Sequence, residues 1–191
     1  MRFCALQYAL RVRENQRDVR WAYVQSVLTM IGNMTIAWAG IERMLDELIA
    51  WYQHARTRLE EQHPVSLKNK LAYLRVMQRD EGFTVEIREF LRYTRIETKR
   101  LGAERHNIIH GLLHLKSARD LVWRTQRVLY DGPFARLENR LYPNKEIETI
   151  GSAISALGGY LSPKVWAITG GDPRLIATDN LENAKRELGM S

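Results

Sequence analysis

The 191-residue chain holds one cysteine, Cys4. A single thiol excludes an intramolecular disulfide and any cysteine-rich zinc module within one chain, and it fits a reducing cytoplasm. The amino terminus lacks an apolar stretch of signal-peptide length, because Arg11, Arg13 and Arg17 interrupt the segment from Met1 to Asp18. No run is read as reaching a transmembrane span, so no membrane partner is expected. Internal repeats and low-complexity segments are absent, as are a P-loop, a dinucleotide fingerprint, a serine elbow, a kinase signature and a paired-cysteine metal motif. Gly158-Gly159 and Gly170-Gly171 lack the spacing and the lysine of a phosphate loop and read as turns. No cofactor is expected.

What the chain does have is an ordinary globular composition, 45% hydrophobic and 27% charged, with a basic excess: Lys+Arg 29 against Asp+Glu 22, a net charge of +7. Length and composition predict a single domain over 1–191, with a core at about 20–161, an extension over 1–19 and a tail over 162–191. Arginines far outnumber lysines. Their planar forks pair with phosphate and stack on bases, which points to nucleic acid or another polyanion.

The apolar residues Val24, Leu28, Ile31, Trp38, Ile41, Leu45, Leu48 and Tyr52 recur at threes and fours, so a long amphipathic helix is predicted from Trp21 to about Leu59, with Gly32 and Gly40 able to bend it or admit a neighbour. His63-Pro64 breaks it. A second helix follows from about Ser66, with Leu67, Leu71, Leu74 and Met77 on one face and Lys68, Lys70, Arg75 and Arg79 elsewhere; Gly82 supplies a left-handed stop. Thr84 then caps a third helix whose stripe runs Ile87, Leu91, Thr94, Thr98, Leu101, Arg105, Ile108, Leu112 and Leu115. Beyond Ser117, the runs Leu121 to Tyr130 and Phe134 to Tyr142 around Asp131-Gly132-Pro133 predict a β-hairpin bearing Arg119, Arg124, Arg127, Arg136 and Arg140. Pro143 and Asn144 open a fourth helix that ends at Ser162-Pro163, and a short helix is expected near Asp179 to Leu188. The expected fold class is all-α, a bundle of four to five helices with a small β-hairpin insertion after the third.

Chemistry concentrates in Glu104-Arg105-His106-Asn107-Ile108-Ile109-His110-Gly111. Cleaving RNA needs a base for the 2′-hydroxyl proton and a cation for the charge growing on phosphate; His110 and Arg105 supply these. On an ideal helix, residues five apart differ by roughly 140°, so the pair shares a site only through a kink, for which Gly102 and Gly111 give room, or through a second copy of the segment across a dimer axis. The alternative is structural: Arg105 bonds Glu42 or Asp46 and the histidines are polar surface. His106, His110 and His114 step by four, but three turns spread them over roughly 12 Å of helix axis, too far for one metal ion. Trp21, Trp38, Trp51, Trp123 and Trp166 are stacking candidates. Core packing is the stronger reading for Trp38, and Trp123, between arginines, is the best base-stacking candidate. Asn107, Arg124, Arg127 and Trp123 complete the expected substrate contacts.

The run from Arg105 to Gly111 resembles the hallmark of the HEPN superfamily, an arginine followed four to six residues later by a histidine with a polar residue after the arginine; His106 fills the place usually held by asparagine. The segment Trp38-Ala39-Gly40-Ile41-Glu42-Arg43-Met44-Leu45-Asp46-Glu47-Leu48 is similar to the long first helix of that group, and the likeness spans roughly Arg20 to Leu161. The resemblance implies a homodimeric helical bundle and, in active members, a metal-independent endoribonuclease leaving a 2′,3′-cyclic phosphate. Arg105 and His110 would then be the catalytic pair and His106 their polar helper. It also implies RNA as substrate and an antitoxin or other regulatory protein as a partner, in toxin–antitoxin, phage-defence or RNA-processing systems. Some members keep the fold and have lost catalysis, acting as RNA- or nucleotide-binding or scaffold proteins.

Overall fold

The structure, a computed structural model, describes the backbone of residues 2–56, 61–110, 112–117, 120–131 and 134–170, and the side chains of these except 2–20, 112–123 and 125–138. Four helices and three strands follow in the order α1 (Arg2–Ala55), α2 (Leu67–Met77), α3 (Val85–Ile109), β1 (Leu112–Ser117), β2 (Asp120–Asp131), β3 (Phe134–Tyr142) and α4 (Asn144–Gly170). The chain is a mostly helical, bundle-type protein with a small sheet inserted after α3. It groups into two compact units, one of Met1–Asn33 with His106–Thr149 and the other of Met34–Arg105 with Ile150–Ser191.

The second unit is helical. Trp38, Ile41, Leu45, Leu48, Ile49 and Tyr52 of α1 are buried in it, as are Leu74 and Met77 of α2, Phe90, Leu91 and Leu101 of α3, and Ile154, Leu157 and Leu161 of α4. These are the residues that three-and-four spacing selects for one face, and burying a large apolar side chain contributes about 1.5–3 kcal/mol. Aromatic contacts tie the elements together, with Tyr52 against Phe83 at 5.6 Å and Phe90 against Tyr160 at 6.0 Å between ring centroids. Ser66 caps α2 by accepting from the Asn69 amide at 3.2 Å, and Thr84 caps α3 by accepting from the Ile87 amide at 3.4 Å.

In the first unit, β1, β2 and β3 form an antiparallel sheet in sequence order. Leu113 pairs with Trp123 across β1 and β2, and Arg127 with Glu138 across β2 and β3. Arg140 of β3 pairs with Glu146 in the first turn of α4 at 2.5 Å, and its guanidinium lies over the buried Tyr142 ring at 4.5 Å.

Several sequence expectations change. The segment before Trp21 is not an extension outside the first helix: α1 runs unbroken from Arg2, and no glycine or proline in the first twenty residues stops its propagation. Between Trp21 and Ile41 there is no charged residue, and the stretch Trp21–Ala55 is long and apolar enough, by length and composition, to cross a membrane. The reading that no run reaches that size is corrected. Trp21, Leu28 and Ile36 are exposed on it, while its later half supplies the core residues above.

Gly32 and Gly40 lie within α1 and admit no close neighbour, since a Cβ at either would meet nothing within 4 Å. Gly82 is not in the left-handed region; instead a Cβ there would collide with the Arg56 guanidinium, which pairs with Asp80 at 2.9 Å. The third helix stops at Ile109, and Leu112 to Leu115, expected to continue its stripe, form β1 because pairing with β2 overrides a local helical spacing. The fourth helix passes through Pro163 to Gly170. Gly158 and Gly159 are therefore helical rather than a turn, and Gly159, four residues before Pro163, carries the carbonyl to which proline, having no N–H, cannot donate. The expected helix near Asp179 to Leu188 lies outside the described residues.

Candidate functional site

On α3, Leu91, Thr94, Thr98, Leu101 and Ile108 are buried, and Arg105 sits half-buried in the same stripe. What meets it is an indole. The Arg105 guanidinium carbon lies 5.7 Å from the ring centroid of Trp38, a core residue of α1 that is only 1% exposed. Trp38 is in turn fixed at its polar edge, where Nε1 donates to Glu42 Oε1 at 2.5 Å. Its other edge packs against α3 at Gly102, where an added Cβ would stand 3.0 Å from Trp38 Cη2. Gly102 and Arg105 are three apart and share a helix face, so the glycine opens the surface on which the indole lies beneath the arginine.

The two carboxylates considered as partners for Arg105 are occupied elsewhere. Glu42 accepts from the indole, and Asp46 accepts from Lys70 Nζ at 2.7 Å and from His63 Nε2 at 3.1 Å. Among the described residues Arg105 makes no hydrogen bond or ion pair, and its Nε is buried without a partner. Leaving such a donor unmet costs about 1–3 kcal/mol. A cation–π contact offsets about 0.5–2 kcal/mol of that without consuming any N–H. The guanidinium is thus held while its donors stay uncommitted.

His106 and His110 belong to the first compact unit. Both are exposed, with ring centroids 4.5 Å apart and planes inclined at 56°. The His110 amide donates to the His106 carbonyl at 3.2 Å, so the last turn of α3, closed by the residue after it, holds the rings side by side. A histidine in the last turn gains from the helix dipole when protonated. No hydrogen bond reaches the His110 ring among the described residues. Asn107 is half-buried. His114 lies in β1, so the helical ladder of three histidines does not exist, and among the described residues no group of three metal-ligating side chains is assembled.

Arg124 is half-buried and its Nε and Nη2 both donate to Asn139 Oδ1, at 3.2 and 2.8 Å, which ties the fork across β2 and β3. The Trp123 and Arg127 side chains lie outside those described. Trp21 and Trp166 are exposed, and Trp51 stacks on Phe83 at 6.2 Å.

Two features escape the sequence. The indole beneath Arg105 is one; its only trace in the chain is Gly102 three residues earlier. The other is a polar group within the helical unit, where Thr94, Glu97 and Thr98 are fully buried and Lys164 is 3% exposed. Glu97 Oε2 accepts from Arg100 at 2.8 Å, while Glu97 Oε1, the Thr94 and Thr98 hydroxyls and the Tyr93 and Tyr160 hydroxyls have no partner. Lys164 Nζ lies over the Tyr160 ring at 5.1 Å, and burial pulls the ammonium below the usual lysine range. The four-residue step from Tyr93 to Glu97 was a usable signal for one face. Compared with known proteins, the chain matches no family model, no curated protein and no solved structure.

Proposed function

We propose that this protein is a metal-independent endoribonuclease acting on single-stranded or looped RNA. The observation that carries the reading is Arg105, a half-buried arginine with no acid partner, seated on Trp38 with its donors uncommitted. A guanidinium of that kind suits the growing charge on a phosphate. His110 takes the proton of the 2′-hydroxyl, the 2′-oxygen bonds phosphorus as the bond to the 5′-oxygen breaks, and the departing oxygen takes up a proton from water, leaving a 2′,3′-cyclic phosphate. His106, 4.5 Å away ring to ring, orients His110. The five-residue offset of Arg105 and His110 supports a homodimer in which two copies of the segment meet about a two-fold axis. The resemblance of this segment to the HEPN superfamily supports the same assignment, with a cytoplasmic setting and an antitoxin or regulatory partner.

The test is cleavage of end-labelled RNA by purified protein in EDTA, comparing wild type with Arg105→Ala and His110→Ala. Loss of cleavage in both variants is expected; activity unchanged in both would remove this pair from the mechanism. A second reading, a catalytically silent RNA- or nucleotide-binding or scaffold protein, is favoured by one observation: no hydrogen bond orients the His110 ring among the described residues. Under that reading the wild type binds RNA with a steep salt dependence and cuts none.

A further inference from the structure

We infer that Trp38 is the positioning residue for Arg105, and that Glu42 fixes the indole in the attitude that presents the guanidinium to an oxyanion. The inference rests on the phosphate-holding role proposed above for Arg105.

Arginines at half-buried positions are ordinarily held by carboxylates, which fix the fork and also occupy it. An oxyanion arriving at such a site must displace the acid. Here a carboxylate is present nearby but one residue removed: Glu42 grips the Trp38 N–H at 2.5 Å, and the ring face of Trp38 carries the cation. The acid therefore orders the arginine through the indole and leaves the donors unspent. Glu42 and Trp38 are four apart on α1, so one turn of helix builds the pair, and Gly102 supplies the space against α3. Asp46, one further turn along, is drawn off by Lys70 and His63. Trp38 touches no reacting atom in this scheme.

The experiment uses the full chain, with the ¹⁵Nε–¹Hε signal of Arg105 as reporter, assigned by its loss in Arg105→Lys. Inorganic phosphate is the probe, and RNA cleavage in EDTA is followed in parallel. In wild type the Arg105 signal is expected to exchange slowly with water and to move on adding phosphate. In Trp38→Leu, which removes the ring face but keeps an apolar side chain, exchange should quicken about tenfold or more, with the phosphate response lost and kcat reduced about tenfold or more while KM changes little. Trp38→Phe, which restores a ring but not the N–H that Glu42 grips, should recover only part of the kcat, and Glu42→Gln, whose amide oxygen still accepts from the indole, should behave close to wild type. Should Trp38→Leu fail to fold, Glu42→Ala carries the same test, since it frees the indole edge at a partly exposed position.

An Arg105 signal that exchanges and responds to phosphate identically in wild type and in the indole variants overturns the positioning role, as does a wild-type signal that phosphate leaves unmoved. The ribonuclease reading fails separately, by absence of cleavage from a wild type whose Arg105 signal still responds.

Discussion

The rings of Tyr93 and Tyr160 meet edge to face with centroids 5.1 Å apart, and both hydroxyls are buried without a hydrogen-bond partner. Burial, aided by the nearby Glu97 carboxylate, pushes the Tyr93 phenol up to about 12. Burial and Tyr93 raise Tyr160 as well. Phenols in an unfolded chain ionise near pH 10. A raised folded value means that this contribution to stability is whole below about pH 10 and is lost as pH climbs toward the folded value. Circular dichroism through an alkaline titration should show unfolding in that window, and Tyr93→Phe should move the midpoint upward. Because the substitution also removes an unmet hydroxyl, stability at neutral pH should be equal or higher. An unchanged alkaline midpoint would show that Tyr93 is not the titrating group.

Asp46 holds a buried lysine. Burial pushes its carboxyl up, but hydrogen bonds from Lys70 and His63 and their charges outweigh this and pull it below the usual carboxylate range. The Lys70 side chain is 7% exposed and Asp46 41%, so solvent screens part of the interaction. Asp46→Asn should cost about 1–2 kcal/mol in urea denaturation at pH 7. A carboxyl depressed on folding gives stability that is present above its unfolded value and lost as pH falls through the folded one. The gap between wild type and variant should therefore narrow in strong acid, and a gap independent of pH would count against this origin.

Glycines in the helices divide into two kinds that an alanine scan separates. At Gly102 an added methyl stands 3.0 Å from both Leu67 Cδ2 and Trp38 Cη2, so Gly102→Ala should destabilise by about 1–3 kcal/mol and disturb the Arg105 signal. At Gly40 and Gly151 it meets nothing within 4 Å, so alanine there should stabilise by about 0.5–1 kcal/mol through helix propensity. Thermal melts of the three variants give the order directly.

Removing the Ser66 hydroxyl leaves the Asn69 amide without its cap. Ser66→Ala should cost about 1 kcal/mol, while Ser66→Asp restores most of it. Equal melting temperatures for all three proteins would mean that the cap contributes nothing.

The buried stripe of α3 is readable in the sequence because helical spacing and burial share one cause, and the caps of α2 and α3 are readable because a side-chain oxygen at the helix entrance is local chemistry. Leu112 to Leu115 misleads because three-residue spacing of leucines fits a helix, whereas β1 is decided by pairing with β2, whose partners run from Leu121 to Arg124. Pro163 misleads because a helix can continue past a proline when tertiary packing compensates the missing bond. Arg105 is legible as a charge on an apolar face. Its seat is not, because the aromatic platform comes from α1, 67 positions earlier in the chain, and no local pattern links Trp38 to it. Lys70 is missed for the same reason, since its partner Asp46 lies on another helix.

Neither a guanidinium nor an indole changes its charge near neutrality. A cation seated on Trp38 therefore presents the same charge and the same attitude from mildly acidic to mildly alkaline solution, where an arginine braced by a histidine would not. If the proposed function holds, a change in cleavage across that range would therefore have to originate outside the group that holds the anion.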